Sequence, residues 1–225
     1  MVQAFSISEQ HGLEAMPSDA LNIYSVGVST AGKAEIRMAQ ANPNRHIIAT
    51  TIDDAGVAAT QNLIRQHGFA QQIEVRKEDV SKPLAYSDEE FEYIYARLVL
   101  HYLTRQQLEA ALSELHRVLK ASGVLFVVVR SNENLDATQN ATGYDEETGM
   151  TIHVTRPNKY ISEVRKRFFH NKTSISQFIT TAGFHITHTS QYDEQLFHDY
   201  SRKISVDHTD NLIELIAVKE KAQTT

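Results

Sequence analysis

The chain has no cysteine, which excludes disulfides and thiolate metal sites. No apolar run reaches the ~18 residues that a membrane-spanning helix requires. Positive charge is scarce: 22 Lys and Arg stand against 28 Asp and Glu, a net charge of −6. Without a long basic run, the electrostatic footprint of a nucleic-acid binder is missing. The opening MVQAFSISEQHG has neither the charged region nor the apolar core of a secretory leader. The expected compartment is therefore the cytoplasm, where the sequons at Asn140 and Asn171 are chance matches. No repeat or low-complexity tract appears. What remains is an apolar fraction of 41% and a charged fraction of 22%, ordinary for a soluble globular protein. The 225 residues suit one domain with a sizeable core. Within it, residues 1–20 read as an N-terminal cap segment and 131–170 as a loop and hairpin lid.

The hydrophobic pattern alternates between two periods. Short apolar runs at 21–28, 46–52, 72–76 and 91–96 read as buried strands. Between them, 33–40 and 54–66 have helical character, the first stopped by ANPN and the second by His67-Gly68. Residues 104–120 place Leu108, Ala111, Leu112, Leu115, Val118 and Leu119 on one helical face. Thr104 and Gln107 are spaced as a capping box. GVLFVVVR at 123–130 is a fully buried strand. Strands alternating with helices imply a doubly wound α/β fold with a mostly parallel sheet. The last third differs. Period-two alternation on both sides of Pro157-Asn158-Lys159 predicts a hairpin over 150–169. A short helix at 173–182 and strands at 184–191 and 211–219 close the chain, while 131–148 reads as a polar loop.

Residues 91–130, FEYIYARLVLHYLTRQQLEAALSELHRVLKASGVLFVVVR, form one strand–helix–strand crossover, and their wording resembles class I S-adenosylmethionine-dependent methyltransferases. Ala182-Gly183-Phe184, leading into the sixth strand, is similar to that family too. The resemblance spans roughly 21–219. It implies a seven-stranded, mostly parallel, Rossmann-like sheet whose final strand is antiparallel, with a small β-hairpin cap.

In that family the first strand ends in an acid followed by a GxGxG turn that approaches the methionine moiety of the cofactor. The aligned stretch is Ser25-Val26-Gly27-Val28-Ser29-Thr30-Ala31-Gly32. Gly27 matches the first glycine, Ser29 and Ala31 stand for the second and third, and Ser25 replaces the acid. Serine and alanine are small, but positive φ costs them more than glycine. The family's second strand ends in a ribose-binding acid, and Thr51 stands there instead. Asp53 and Asp54 follow closely and either reach the ribose or cap the next helix. Asp79 matches the position that contacts the adenine amino group, and is also an ordinary turn residue. The resemblance thus surrounds S-adenosyl-L-methionine with Gly27, Ser29, Ala31, Thr51 or Asp53, Asp79, Val80, Ala96 and Arg97. Two lost acids, at roughly 1.5–3 kcal/mol each, weaken binding about a hundred- to ten-thousand-fold unless other residues compensate.

His101 follows the fourth strand and is a candidate to accept a proton, to orient the acceptor, or simply to pack. In RKRFFH, Arg167 or His170 is expected to face the pocket, and His170 is the second catalytic candidate. LFHDY at 196–200 is a further candidate lining segment. The late histidines show no His-x3-His spacing, so no metal site is expected. The implied function is methyl transfer to a small-molecule acceptor by in-line displacement. The degenerate motif supports another reading, a catalytically inactive fold member acting as a partner or regulatory subunit. A nicotinamide enzyme fits less well, because Thr51 is not an acid. Neither nucleic acid nor membrane is an expected partner, and a homodimer is the default assembly.

Overall fold

A computed structural model describes residues 6–28, 32–158, 161–197 and 205–221. The chain opens with α1 (Ile7–Ala15), β1 (Asn22–Ser25), α2 (Lys33–Ala41), β2 (His46–Thr51), α3 (Asp54–Gln66) and β3 (Ile73–Lys77). It continues through β4 (Phe91–Arg97), a 3-10 turn (Leu100–Tyr102), α4 (Arg105–Val118) and β5 (Leu119–Arg130). A lid follows, built from α5 (Leu135–Thr138), β6 (Ala141–Asp145), β7 (Met150–Asn158) and β8 (Ile161–Arg167). The last elements are α6 (Lys172–Thr181), β9 (Phe184–Phe197) and β10 (Ser205–Lys219).

Seven strands form one sheet in the order β3-β2-β1-β4-β5-β10-β9. The first five pair in parallel, and β10 runs antiparallel to both β5 and β9. Only β10 is reversed, as the family resemblance implies. Side chains alternate between the two faces of each strand. Ile23, Ile47, Tyr93, Tyr95, Phe126 and Val128 pack with α2 and α3. Tyr24, Ile48, Ile94, Leu125 and Val127 pack with the apolar stripe of α4 and with Ile175 and Ile179 of α6. The capping box at Thr104 and Gln107 starts α4 as expected. That helix ends earlier than its periodicity suggests, because Leu119 already pairs with Phe91. Gly123 then passes so close to Leu119 and the Lys120 carbonyl that a Cβ would stand 2.8 Å from each.

Three segments depart from the sequence reading. Residues 131–148 are not a loop: they carry α5 and β6, so the lid is a three-stranded sheet, β6-β7-β8, rather than a hairpin. The strand β6 is exposed nearly throughout, so no apolar face announces it, and pairing with β7 holds it. The strands β9 and β10 are longer than expected, because their extensions bury the charged Glu194 and Asp210. In place of an undefined cap segment, residues 7–15 form a helix laid on the sheet. Tyr93 Oη donates to the Gly12 carbonyl at 2.5 Å, and His11 Nδ1 lies 3.0 Å from buried Glu214. Among the described residues no helix is long and apolar enough to cross a membrane.

A Cβ on Gly12 would stand 2.4 Å from Tyr95 and 2.8 Å from Phe126. Gly12→Val is expected to lift α1 and lower stability by about 1–3 kcal/mol, read by urea denaturation. Gly143→Ala, whose Cβ would meet Ile152 at an ordinary 3.6 Å, is expected to leave stability within about 0.5 kcal/mol.

Candidate active site

The strand order reverses between β1 and β4, and open α/β sheets bind ligands in the crevice at the carboxyl ends beside such a switch. At that point β1 gives way to a tight turn. The Val26 N–H donates to Tyr95 O (2.8 Å) and the Val28 N–H to Thr50 O (2.7 Å). Gly27 lies between them with φ +72°, and a Cβ there would stand 2.5 Å from Val99. Glycine is therefore required both for its dihedral and for its space. Ser29 and Ala31 lie outside the described residues.

A buried polar cluster fills the same edge. The Ser25 hydroxyl donates to Glu35 Oε1 at 2.5 Å, and Glu35 is only 3% exposed. Burial raises its affinity for a proton, which the Ser25 hydrogen bond and Arg97 partly oppose. Arg97 reaches across to α1, donating from Nε to Ser8 Oγ and from Nη2 to Ser6 Oγ, each at 2.7 Å. Its Nη2 lies 3.6 Å from Glu194 on β9. Glu194 in turn accepts from the Ser6 hydroxyl and from the Ser8 N–H. Glu9 pairs with Arg37 at 2.8 Å. Three buried carboxylates, Glu9, Glu35 and Glu194, thus face two guanidiniums, Arg37 and Arg97. Arg97 contacts the candidate site through this seam, and Ala96 beside it is fully buried in the α4 face.

At the neighbouring strand ends, Asp53 spends one carboxylate oxygen on the Gly56 N–H (2.6 Å), capping α3, and Asp54 pairs with Lys77. The capping role open to these aspartates in the sequence is therefore taken up by Asp53. Thr51 is half-buried, and its carbonyl accepts from the Glu78 N–H at 2.9 Å. Asp79 is exposed and closes a turn onto Ser81, and Val80 packs in the core. Between Thr51 and Asp53 stands Ile52, 71% exposed, an apolar surface suited to a flat ring. The sequence reading passed over it because it closes an apolar strand.

Beyond Arg97 the backbone is strained. Leu98 has φ +58°, an uncommon state for a branched residue and one that gathers at functional sites. The next turn carries His101, 1% exposed. The Arg130 N–H donates to its Nδ1 at 3.4 Å, which leaves the proton of the neutral ring on Nε2. Burial, with Arg130 and Arg167 nearby, pushes its pKa well down. His101 therefore offers an N–H donor, the chemistry of orienting a ligand rather than of taking a proton. His170 is fully buried between Phe168 and Phe178. Burial and the Arg105 charge push its pKa to about 3.

The two histidines sit where the lid meets the sheet. There Asp136 accepts from Arg167 (2.7 Å), Asn140 (3.1 Å) and Arg130 (3.3 Å), and Arg130 also reaches Asp210 on β10. Arg167 is thus committed to the lid anchor. Beside this junction a cavity of about 650 Å³ opens between α4 and α6, lined by Arg105, Asn132, Tyr144, Phe168 and Phe178 among others. Leu196 lies on β9, and 198–200 lie outside the described residues. Among the described residues no three His, Asp or Glu side chains could hold a metal ion.

A family model described as a methyltransferase domain matches residues 23–123, the stretch from β1 into β5 that builds this crevice. This match agrees with the resemblance of the sequence to class I S-adenosylmethionine-dependent methyltransferases. No curated protein matches it. Among solved structures, an S-adenosylmethionine-dependent methyltransferase from Methanosarcina mazei is 16% identical with a TM-score of 0.73, covering 93% of this chain and 96% of its own. The [4+2]-cyclase SpnF is also 16% identical, with a TM-score of 0.67, covering 95% and 80%. A putative methyltransferase in complex with the Trm112 activator of Haloferax volcanii is 12% identical, with a TM-score of 0.69, covering 97% and 90%. These likenesses show the fold, and the Methanosarcina mazei protein among them is S-adenosylmethionine-dependent. The residues of this methyltransferase fold suit that molecule at its amino-acid end, where excess carboxylate meets a sulfonium and an ammonium. They suit it less at the ribose, where Thr51 stands in place of an acid.

The buried, neutral His170 gives a pH dependence with a definite sign. Its folded pKa of about 3 lies below the ordinary 6.5, so acid protonates the unfolded chain first. Stability from this group is present above pH 6.5 and is lost as pH falls toward 3. Wild type is expected to lose up to about 1.4 kcal/mol per pH unit relative to His170→Phe below that point, measured by urea midpoints from pH 7 down to ~5.

Proposed function

We propose that this protein transfers a methyl group from S-adenosylmethionine to a small-molecule acceptor. The observation that carries the reading is the buried cluster at the ends of β1 and β4, with three carboxylates against two guanidiniums. It complements a ligand whose net charge is positive. When bound, the cofactor supplies an electrophilic methyl group on sulfur, displaced in line by an acceptor O, N or C nucleophile.

The chain's own residues position and shield. Gly27 gives the turn at the crevice its left-handed backbone and lets Val99 pack against it. Ile52 offers a face to the adenine, with Asp79 at the next strand end within the same crevice. His101 orients the acceptor through its Nε2–H. The lid, fixed by Asp136, excludes water above the junction, and the aromatic-lined cavity beside it has the size of a small-ligand site. Methyl transfer gains most from proximity and a dry site, so no strong base is required of His101 or His170.

A second reading is favoured by Thr51 and by Asp53, whose carboxylate already caps α3. With no acid for the ribose, the fold would serve as a partner or regulatory subunit. Likeness to a cyclase and to a partner-bound methyltransferase fits a fold that hosts several functions.

Isothermal titration with S-adenosylmethionine and S-adenosylhomocysteine separates the two. The methyltransferase reading expects micromolar binding, weakened roughly tenfold or more by Asp79→Ala. A folded sample that takes up neither ligand at millimolar concentration would sink it in favour of the partner reading.

A further inference from the structure

The family's first strand ends in an acid, and here it ends in Ser25. The carboxylate is not missing from the place, however. Glu35 comes from α2, three residues past the helix-starting Gly32, and its Oε1 stands 2.5 Å from Ser25 Oγ. An aspartate at position 25 would carry its oxygens one bond beyond the serine Oγ, into the ground that Glu35 holds. A short strand residue and a long helix residue have exchanged the usual lengths.

We infer that Glu35 is the cofactor-binding acid of this chain, held by the Ser25 hydroxyl so that its carboxylate meets the ammonium of S-adenosylmethionine. The inference rests on the methyltransferase reading. Its first support is burial without a matching cation. Ser25 and Glu35 are 1% and 3% exposed, and among the described residues no lysine or arginine lies within ion-pair distance of Glu35. A buried carboxyl held by one hydroxyl and its own backbone N–H, with no ion-pair partner, is destabilising unless something compensates, and an arriving ammonium is such a compensation.

The second support is the surroundings. Glu9 from α1 faces Glu35 with like charge, and Arg97 from β4 faces it with opposite charge. Arg97 is itself drawn away toward Ser6, Ser8 and Glu194 of β9, while Arg37 is paired with Glu9. The Tyr95 hydroxyl, also buried, has no hydrogen-bond partner among the described residues and lies in the field of Arg97, Glu35, Glu9 and Glu194. The elements packed around Glu35 thus leave an acid and an unused hydroxyl at the switch point, with the nearby guanidiniums engaged elsewhere.

The third support is the turn. Gly27 follows Ser25 by two residues with φ +72°, so the chain turns sharply beside the acid, with Val99 packed where a Cβ would stand.

The test compares two ligands across three proteins. S-adenosylmethionine carries the ammonium, whereas 5′-methylthioadenosine keeps the nucleoside and lacks the amino-acid arm. Titration of wild type, Glu35→Gln and Ser25→Asp/Glu35→Gln, each checked for cooperative melting, gives six affinities. Glu35→Gln is expected to weaken S-adenosylmethionine roughly ten- to a hundredfold and to leave 5′-methylthioadenosine unchanged. Adding Ser25→Asp returns the acid to the strand and restores most of the lost affinity, and does so even if the single variant folds poorly. Wild-type affinity for S-adenosylmethionine in Glu35→Gln, or equal loss of both ligands, overturns the assignment alone. Failure of wild type to bind S-adenosylmethionine overturns the methyltransferase reading, and this assignment with it.

Discussion

Taking a carboxylate out of water is among the most expensive things a fold can do, and this one does it repeatedly along one edge. Glu9, Glu35, Glu194 and Glu214 are all nearly inaccessible. Each is met by a group from a different element: Glu9 by Arg37 of α2, Glu35 by Ser25 of β1, Glu194 by Ser6, Ser8 and Arg97, Glu214 by His11 and Tyr192. The need to satisfy these acids places α1 against the sheet and ties β4 to β9. It also sets the charge of the crevice. The lid obeys the same constraint, with Asp136 and Asp210 gathering Arg130, Arg167 and Asn134.

Methyl transfer asks for little covalent help from a protein. An aligned donor and acceptor in a dry site are most of what is needed. A fold can therefore change the residues of its binding motif without losing the reaction, provided that charge and close approach survive. Gly27 preserves the tight turn. The charge has moved from strand to helix at one end of the crevice and is missing at the other, where Thr51 follows β2. The histidines fit this division of labour. Buried, with lowered proton affinity, they are poor bases.

The parts of the fold carried by apolar periodicity were open to reading. The stripe of α4, its capping box and the run through β5 need only spacing, and with the shorter strands they imply a mostly parallel sheet. What escaped was built from polar residues. The strand β6 has no buried face, and β9 and β10 hide charged residues along their inner edges. In the site, Gly27 could be recognised by position and the capping role of Asp53 by chemistry. Glu35 could not. In KAEIRMAQA the apolar positions are Ala34, Ile36, Met38 and Ala39, and a glutamate beside them reads as a solvated helix residue. Only the serine at position 25, unexpected at a strand end, hints that an acid must come from elsewhere. The tautomer of His101 depends on a backbone N–H from β5, a neighbour that no local pattern reveals.

The seam around α1 also sets an order of events. Ser8 is bonded to Glu194 across 186 residues of chain, and His11 to Glu214 across 203. Contacts of such separation form late, because the loop between them must close first. The strands β1 to β5 and helices α2 to α4 can assemble from nearer contacts as the chain emerges. The helix at its front must wait for the two strands at its back. The crevice is therefore finished by β9 and β10, and a molecule that has folded its central sheet but not yet docked them holds Arg97 and Glu9 in water rather than in a site.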